Sequence, residues 1–282
     1  MSISVDRRTG LSQREFEAEY VARSRPVILA DAIDHWPARR IWNLDYFEKK
    51  HACKVVRIDG KDHNLGEFIA SLKSFNGEGI APYLKEVKLD EQFPELWADI
   101  GEINLAKGNR LKSHWLPPSM RIDRGIVALF IGTKGSGFRK LHWDLSCLHV
   151  FISQVQGAKE AILFHPDDTA YLYPNPEQDN QSLIPDPYAV DLSVFPDFQR
   201  STPTHVTIAE GETLFLPGHW WHATRTREPN IAIAESTLDA HNWKARKDWY
   251  LDVYSRANVS LAKRTALNVY MTLLGAALGL PI

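Results

Sequence analysis

Three residues offer a chemistry together that none offers alone. His142 and Asp144 stand in the run Leu141-His142-Trp143-Asp144, and His222 closes the run Leu216-Pro217-Gly218-His219-Trp220-Trp221-His222. Two imidazoles and one carboxylate can occupy one face of a six-coordinate metal ion and leave the other face open. That donor set suits a non-haem Fe(II) centre that brings O2 and an organic co-substrate together. On a strand, residues two apart leave the same face, so His142 and Asp144 point together and Trp143 turns away into packing. His222 has to arrive on a second strand. Taken by itself, a His-x-Asp pair also fits a surface histidine hydrogen-bonded to an aspartate, and the spacing leaves both readings open. His149, His205 and His219 are further histidines in the same stretches.

These residues need a scaffold, and the composition allows one. The chain has 282 residues, 44% hydrophobic and 24% charged, which is ordinary for a globular protein and long enough for one large all-β domain. Nine tryptophans and twelve phenylalanines point to a large aromatic core or a lined pocket. A net charge of -2 gives no global case for nucleic-acid binding. Cys53 and Cys147 are the only cysteines; they make no disulfide framework and fit a reducing cytoplasm. The first residues lack the apolar run of a signal peptide. The most apolar stretch, Leu267 to Leu280, is interrupted by Asn268 and Gly275 and too short for a membrane span.

The pattern divides the chain. In the first part, Ser12 followed by Glu15 reads as a capping box opening a helix over Gln13–Ala22. A buried strand is expected at Pro26–Ala30, a helix at Leu44–His51, a strand at Lys54–Ile58 and a helix over Asn64–Lys73 with Phe68, Ile69 and Leu72 inward. Glu91–Ile100 is a weaker helix. After Leu111, short β-prone runs follow at Ile126–Ile131, Leu141–Ile152, Glu160–Phe164, His205–Ile208, Thr213–Leu216, Trp221–Arg225 and Ile231–Glu235. Punctuated by Gly, Pro and Asp, they predict a sandwich or barrel. Val206–Leu216 reads as a hairpin beside the first metal strand. The proline-rich stretch from Pro166 to Pro203 argues against regular structure, and its Tyr171, Tyr173, Tyr188 and Phe195 offer either a lid or anchors to the body. From His241 onward two amphipathic helices are expected. The division is thus 1–240 for the site-bearing domain and 241–282 for a helical tail.

On strand parity, Trp220 shares the face of His222 and lines the cavity, Trp221 packs outward under helices, and Thr224 reaches the metal face and co-substrate. Cys147, in an apolar run, is expected buried and inert. Arg121, Arg124, Lys134, Arg139 and Lys140 give the approach to the first metal strand a positive cast.

The sequence resembles the Jumonji-C-like, or cupin-like, oxygenases, and most the branch containing the asparaginyl hydroxylase that acts on hypoxia-inducible factor. The resemblance is carried by SRPVILADAIDHWPA (24–38), LFIGTKGSGFRKLHWD (129–144), QGAKEAILFHPDDTAYLYP (156–174) and EGETLFLPGHWWHATRT (210–226), in the family's order. It implies a double-stranded β-helix, a jelly roll that is mainly β with an N-terminal α/β elaboration and C-terminal helices. It implies Fe(II), 2-oxoglutarate and O2, with His142, Asp144 and His222 as metal ligands and hydroxylation of a protein side chain or small metabolite. Lys159 matches the family lysine that pairs with the distal carboxylate of 2-oxoglutarate. Two positions depart from the branch: Arg139 stands where a threonine usually contacts the co-substrate, and Ser236 where the asparaginyl hydroxylase has an asparagine near the iron. Relatives in the branch pair through helices after the barrel, and Trp249, Leu251, Val253, Tyr254, Tyr270, Leu273, Leu274 and Leu278 would supply such a homodimer surface. Two alternatives stay open: a cupin-type metalloenzyme that does not use 2-oxoglutarate, and a non-catalytic binding protein on the same barrel.

Overall fold

The structure, a computed structural model, describes residues 4–58, 60–116, 121 and 126–279; Arg124 and Leu280 lie outside them. The strands in chain order are β1 (Asp6–Arg8), β2 (Val27–Leu29), β3 (Val55–Ile58), β4 (Lys61–Asn64), β5 (Tyr83–Lys88), β6 (Ile126–Gly132), β7 (His149–Gln156), β8 (Lys159–Phe164), β9 (Pro174–Asn175), β10 (Gln178–Ser182), β11 (Thr204–Ile208), β12 (Thr213–Leu216), β13 (Trp221–Thr226) and β14 (Asn230–Thr237). The helices are α1 (Gln13–Phe16), α2 (Ala38–Ile41), α3 (Leu44–Lys50), α4 (Leu65–Ser74), α5 (Leu89–Gln92), α6 (Trp243–Arg256) and α7 (Leu261–Ala277).

Two sheets face each other. The larger runs β1-β2-β12-β7-β14-β6-β5, and the smaller runs β11-β8-β13. One-residue bridges extend the smaller sheet: His142 pairs with His222 of β13 on one side and with Gln181 of β10 on the other. From β11 to β14 the chain alternates between the sheets, which is the winding of a jelly roll. Val206–Leu216 is therefore not a hairpin, because β11 pairs with β8 and β12 with β7 and β2. The residues give the reason. Thr213-Leu214-Phe215-Leu216 is buried on both faces and needs a covered sheet, whereas β11 has exposed His205 and Thr207 on its outer side.

The space between the sheets is filled by Val150, Ile152, Leu163, Ile208, Leu214, Leu216 and Trp220. Outside the larger sheet, the N-terminal helices bury Phe16, Tyr20, Phe47 and Phe68 against the layer that holds Leu129, Phe151, Phe215 and Ile233. Each such side chain contributes about 1.5–3 kcal/mol, so this elaboration stiffens the sheet that backs the site. Ser12 does cap α1, and its side chain and that of Glu15 bond reciprocally. Past Phe16 the expected helix widens into a π turn over Glu17–Val21. Asn64 caps α4, whose Phe68, Ile69 and Leu72 are buried as its periodicity requires.

Two expectations fail locally. The run Leu141–Ile152 is not one strand: a turn at Leu145–Cys147, with Ser146 at φ 61 and Cys147 at φ 57, separates the His142 segment from β7. The stretch from Pro166 to Pro203 does carry regular structure, β9 and β10. The polar sequence of β10, Gln178-Asp179-Asn180-Gln181-Ser182, has no apolar alternation to announce a strand. At the C-terminus, Trp243, Met271, Leu274 and Leu278 pack with Leu111, Leu148 and Leu238 of the same chain, while Val253, Tyr254, Leu261, Val269, Tyr270 and Leu273 stay exposed. Among the described residues, no helix is long and apolar enough to cross a membrane.

Candidate metal centre and adjoining cavity

His142 and His222 sit directly opposite each other, with His142 N donating to His222 O (3.1 Å) and His222 N to His142 O (2.7 Å). Their rings lie 4.3 Å apart. On the other side Trp143 N bonds Asn180 O, Ser182 N bonds Leu141 O, and the Asn180 amide returns to Trp143 O. The polar strand β10 thus clamps the ligand-bearing segment. Asp144, two residues on, projects to the same side. The donor atoms of His142, Asp144 and His222 lie within 4.8 Å of one another, with His222 Nε2 3.9 Å from Asp144 Oδ2. Donors bound at about 2.1 Å on one face of a six-coordinate ion lie about 3 Å from one another, so a divalent ion would draw these side chains together by up to about 1 Å each.

The imidazoles are prepared for that role. His142 Nδ1 meets the Lys140 carbonyl at 2.8 Å, and His222 Nδ1 meets the Trp220 carbonyl at 3.1 Å. A carbonyl only accepts, so both Nδ1 atoms carry the proton and both Nε2 lone pairs face the cluster. Burial and the neighbouring His222 push His142 down to about 3, which keeps it a neutral ligand. Burial lifts the Asp144 carboxyl above its ordinary range, and nearby His222 only partly opposes this; a bound cation would reverse that lift. The segments carrying the ligands are also tied to each other. Cys147 Sγ lies 3.1 Å from His219 Nε2, Gly218 N donates to His149 Nδ1 at 2.8 Å, and the His219 ring packs on Trp143. A Cβ on Gly218 would stand 2.5 Å from the Cys147 carbonyl oxygen.

The cavity beside the cluster ends at Lys159. The same space is lined by His142, Asp144, His222, Tyr83, Phe130, Phe138, Lys159 and Thr224. Lys159 opens β8 with only 2% of its surface exposed. Its ammonium group lies 3.4 Å from the Tyr83 hydroxyl and against the Phe130 ring at 5.3 Å. Among the described residues no carboxylate pairs with it, and burial lowers it to about 7. Such a cation favours any anion that can reach it. The Tyr83 hydroxyl also bonds the Thr224 side chain, and burial, reinforced by the Glu86 charge, raises its pKa. Metal donors at one end and a desolvated cation with two hydroxyls at the other make a receptor for a short, metal-chelating dicarboxylate.

Thr224 is in the cavity. Arg139 is not: Phe138 faces inward, so the next residue turns out, where Arg139 bonds Asp186 and the Gly135 carbonyl. With Lys134 it lines a separate surface hollow. Ser236 lies in the wider groove that opens outward from His142 and Asp144. Trp220 does face the barrel interior, but below the cavity, where its indole donates to the Ser24 carbonyl at 2.8 Å and packs on His165. Trp221 packs outward with Leu172, Ala245 and Trp249, and Cys147 is buried, with its thiol pushed up to about 12 by burial. The loop aromatics are anchors: Tyr188 bonds the Ala223 and Glu160 carbonyls, and Tyr173 bonds Asp197 N and packs on Phe195. Tyr83, Glu86 and Gln181 escaped the sequence reading. Tyr83 and Glu86 sit in an irregular strand, and Gln181 sits in the polar β10.

Residues 13–234 match the family described as cupin-like domain. The chain is 26% identical over 238 residues to "Lysine-specific demethylase 8" of Xenopus tropicalis, covering 79% of this chain and 50% of that protein. It is 26% identical over 263 residues to "Lysine-specific demethylase JMJ21" of Arabidopsis thaliana, covering 85% and 26%. It is 27% identical over 259 residues to "HSPB1-associated protein 1 homolog" of Danio rerio, covering 81% and 56%. The chain therefore spans about half, or less, of the length of these curated relatives.

Proposed function

The chain belongs to the cupin-like domain family, and we propose that it is an Fe(II)- and 2-oxoglutarate-dependent oxygenase that hydroxylates a protein side chain or a small metabolite. The JmjC relatives in this family use Fe(II), 2-oxoglutarate and O2. The single observation that carries the reading is the shared cavity: the His142–Asp144–His222 cluster and the buried, carboxylate-free Lys159 line opposite ends of one space. His142, Asp144 and His222 would hold the metal through Nε2, a carboxylate oxygen and Nε2. Lys159 would pair with the distal carboxylate of 2-oxoglutarate, with Tyr83 as the second contact and Thr224 orienting the Tyr83 hydroxyl. When bound, iron with its co-substrates supplies the oxidising chemistry, balanced as substrate C–H plus O2 plus 2-oxoglutarate giving C–OH, succinate and CO2. The protein's share is to orient the co-substrate, keep water from its buried end and present the substrate C–H.

The same oxidation at an N-methyl carbon gives a hydroxymethyl group that leaves as formaldehyde, so one site chemistry serves both hydroxylation and the demethylation that several relatives are named for. The kinship to the asparaginyl hydroxylase branch belongs to the proposal. It rests on the four sequence blocks, and Ser236 leaves the groove wider than an asparagine would. We also propose a cytoplasmic homodimer. Both cysteines are free, as in a reducing compartment, and the outer faces of α6 and α7 keep Tyr254, Tyr270 and Leu273 exposed. Sedimentation of the full chain at micromolar concentration tests the pairing: a monomer rules it out. The metal assignment is tested by titrating Mn(II) into the wild type and the His142→Ala and His222→Ala variants. Stoichiometric binding is expected in the wild type alone, and full occupancy in both variants would sink it.

A further inference from the structure

Strand β14 carries an acid where its pattern calls for an apolar residue. Ala234 and Ser236 turn toward the metal site and its outer groove. Ile233 and Glu235 turn the other way, under the N-terminal elaboration, where Ile233 joins the apolar layer with Leu129 and Phe151. β14 is interior to the larger sheet, and Glu235 stands opposite Val127 of β6 and Phe151 of β7. It is only 7% exposed. Among the described residues its carboxylate makes no hydrogen bond, and Lys112 Nζ, its one ion-pair partner, stays 4.0 Å away, beyond hydrogen-bond reach. A carboxylate buried in that state costs the fold. Burial lifts its pKa, with Lys112 opposing the rise and the Glu102 charge adding to it.

Glu235 borders a cavity of about 180 Å³, walled by Trp36, Ile100, Val127 and Ile233, with the more exposed Glu102 and Lys112 beside them. An apolar cavity of about 150 Å³ takes up benzene, so a ligand of about six non-hydrogen atoms fits here. The walls ask for an apolar body, and the charges decide its head group. Two carboxylates, Glu102 and Glu235, face one ammonium, Lys112, which lies 3.6 Å from the first and 4.0 Å from the second and hydrogen-bonds neither. One further monocation would balance the group, and its N–H donors would supply the bonds that Glu235 lacks. The cavity shares no lining residue with the space that ends at Lys159 or with the outer groove.

We propose that this cavity is a second ligand site, specific for a small alkylammonium ion whose head group bonds Glu235 and whose carbon chain lies against Trp36, Val127 and Ile233. Binding there needs neither iron nor 2-oxoglutarate, so it stands or falls independently of the oxygenase reading. The probes are n-butylammonium and the uncharged 1-butanol, each titrated into the metal-free protein and followed by NMR at the backbone amides of Gly101, Lys112 and Val127. The wild type should bind butylammonium about tenfold more tightly than butanol. Glu235→Gln should erase the difference by weakening only the ammonium, while its melting temperature holds or rises because an unpaired buried charge has gone. Lys112→Met should tighten the ammonium and leave butanol unchanged, an opposite sign that a general loosening of the fold cannot produce. Equal affinities in the wild type, a preference that survives Glu235→Gln, or an ammonium affinity that falls in Lys112→Met overturns the proposal. Shifts confined to the amides around His142 and Thr224 also overturn it, as does the absence of any shift, which would mean that the cavity holds water only.

Discussion

Replacing Lys159 with methionine should make the protein more stable and its co-substrate binding weaker. Methionine keeps the unbranched volume and removes a cation that burial holds at about 7 against an ordinary 10.5. At about 1.4 kcal/mol per pH unit, that lysine costs the folded state about 4 kcal/mol at neutral pH. The sign follows from which state holds the proton. Below about pH 7 both states are charged and the cost is complete. Between about 7 and 10.5 the unfolded chain binds the extra proton, so stability attributable to Lys159 rises with pH; above about 10.5 both states are neutral and the cost is gone. Urea unfolding of metal-free wild type and Lys159→Met from about pH 6 to about 10.5 should therefore show the variant ahead by a few kcal/mol at the acid end and the two converging at the alkaline end. The same substitution removes a charged contact worth about 2–3 kcal/mol, which raises the 2-oxoglutarate requirement roughly 30–150-fold. A variant less stable than wild type throughout, with an unchanged co-substrate requirement, would refute both the unpaired burial and the assigned role.

Arg139→Ala should leave the 2-oxoglutarate requirement unchanged and alter stability by less than about 1 kcal/mol, since it removes an exposed pair with Asp186 and an exposed bond to the Gly135 carbonyl; a co-substrate defect would return Arg139 to the site. Gly218→Ala should cost about 1–3 kcal/mol, because its Cβ meets the rigid Cys147 backbone, and should weaken Mn(II) binding in calorimetry. Unaltered metal affinity in that variant would mean that the two ligand-bearing segments move independently. Trp220→Phe should lose about 1–3 kcal/mol by leaving the Ser24 carbonyl unpaired, with Mn(II) and 2-oxoglutarate binding intact; a co-substrate defect would place Trp220 in the cavity wall.

What the sequence made legible has a common physical character. His142 and Asp144 obey strand parity, and the apolar runs at Ile126, Glu160, Thr213 and Ile231 become β6, β8, β12 and β14 because their burial dictates their pattern. The cap at Ser12 is local chemistry and appears where its residue type stands. What escaped depends on tertiary context. β10 is a strand because it pairs with the His142 segment through its backbone, for which a polar sequence gives no periodic signal. The bulge in β5 breaks the alternation that would have exposed Tyr83 as an inward residue. Parity gave Trp220 the correct face, but a face does not fix depth along a barrel. Arg139 matches the position of a co-substrate contact by count, and the inward Phe138 turns it outward.

The central claim is one cavity that holds iron at His142, Asp144 and His222 and 2-oxoglutarate between the iron and Lys159. Anaerobic titration of Fe(II) and then 2-oxoglutarate, followed in the visible, tests it most directly. The account predicts a metal-to-ligand charge-transfer band that saturates at one equivalent of iron, is absent in His222→Ala, and needs far more 2-oxoglutarate in Lys159→Met. Iron bound without the band would make this a cupin-type metalloenzyme with another co-substrate. Failure to bind iron would leave a binding protein on the same barrel, and either result contradicts the account.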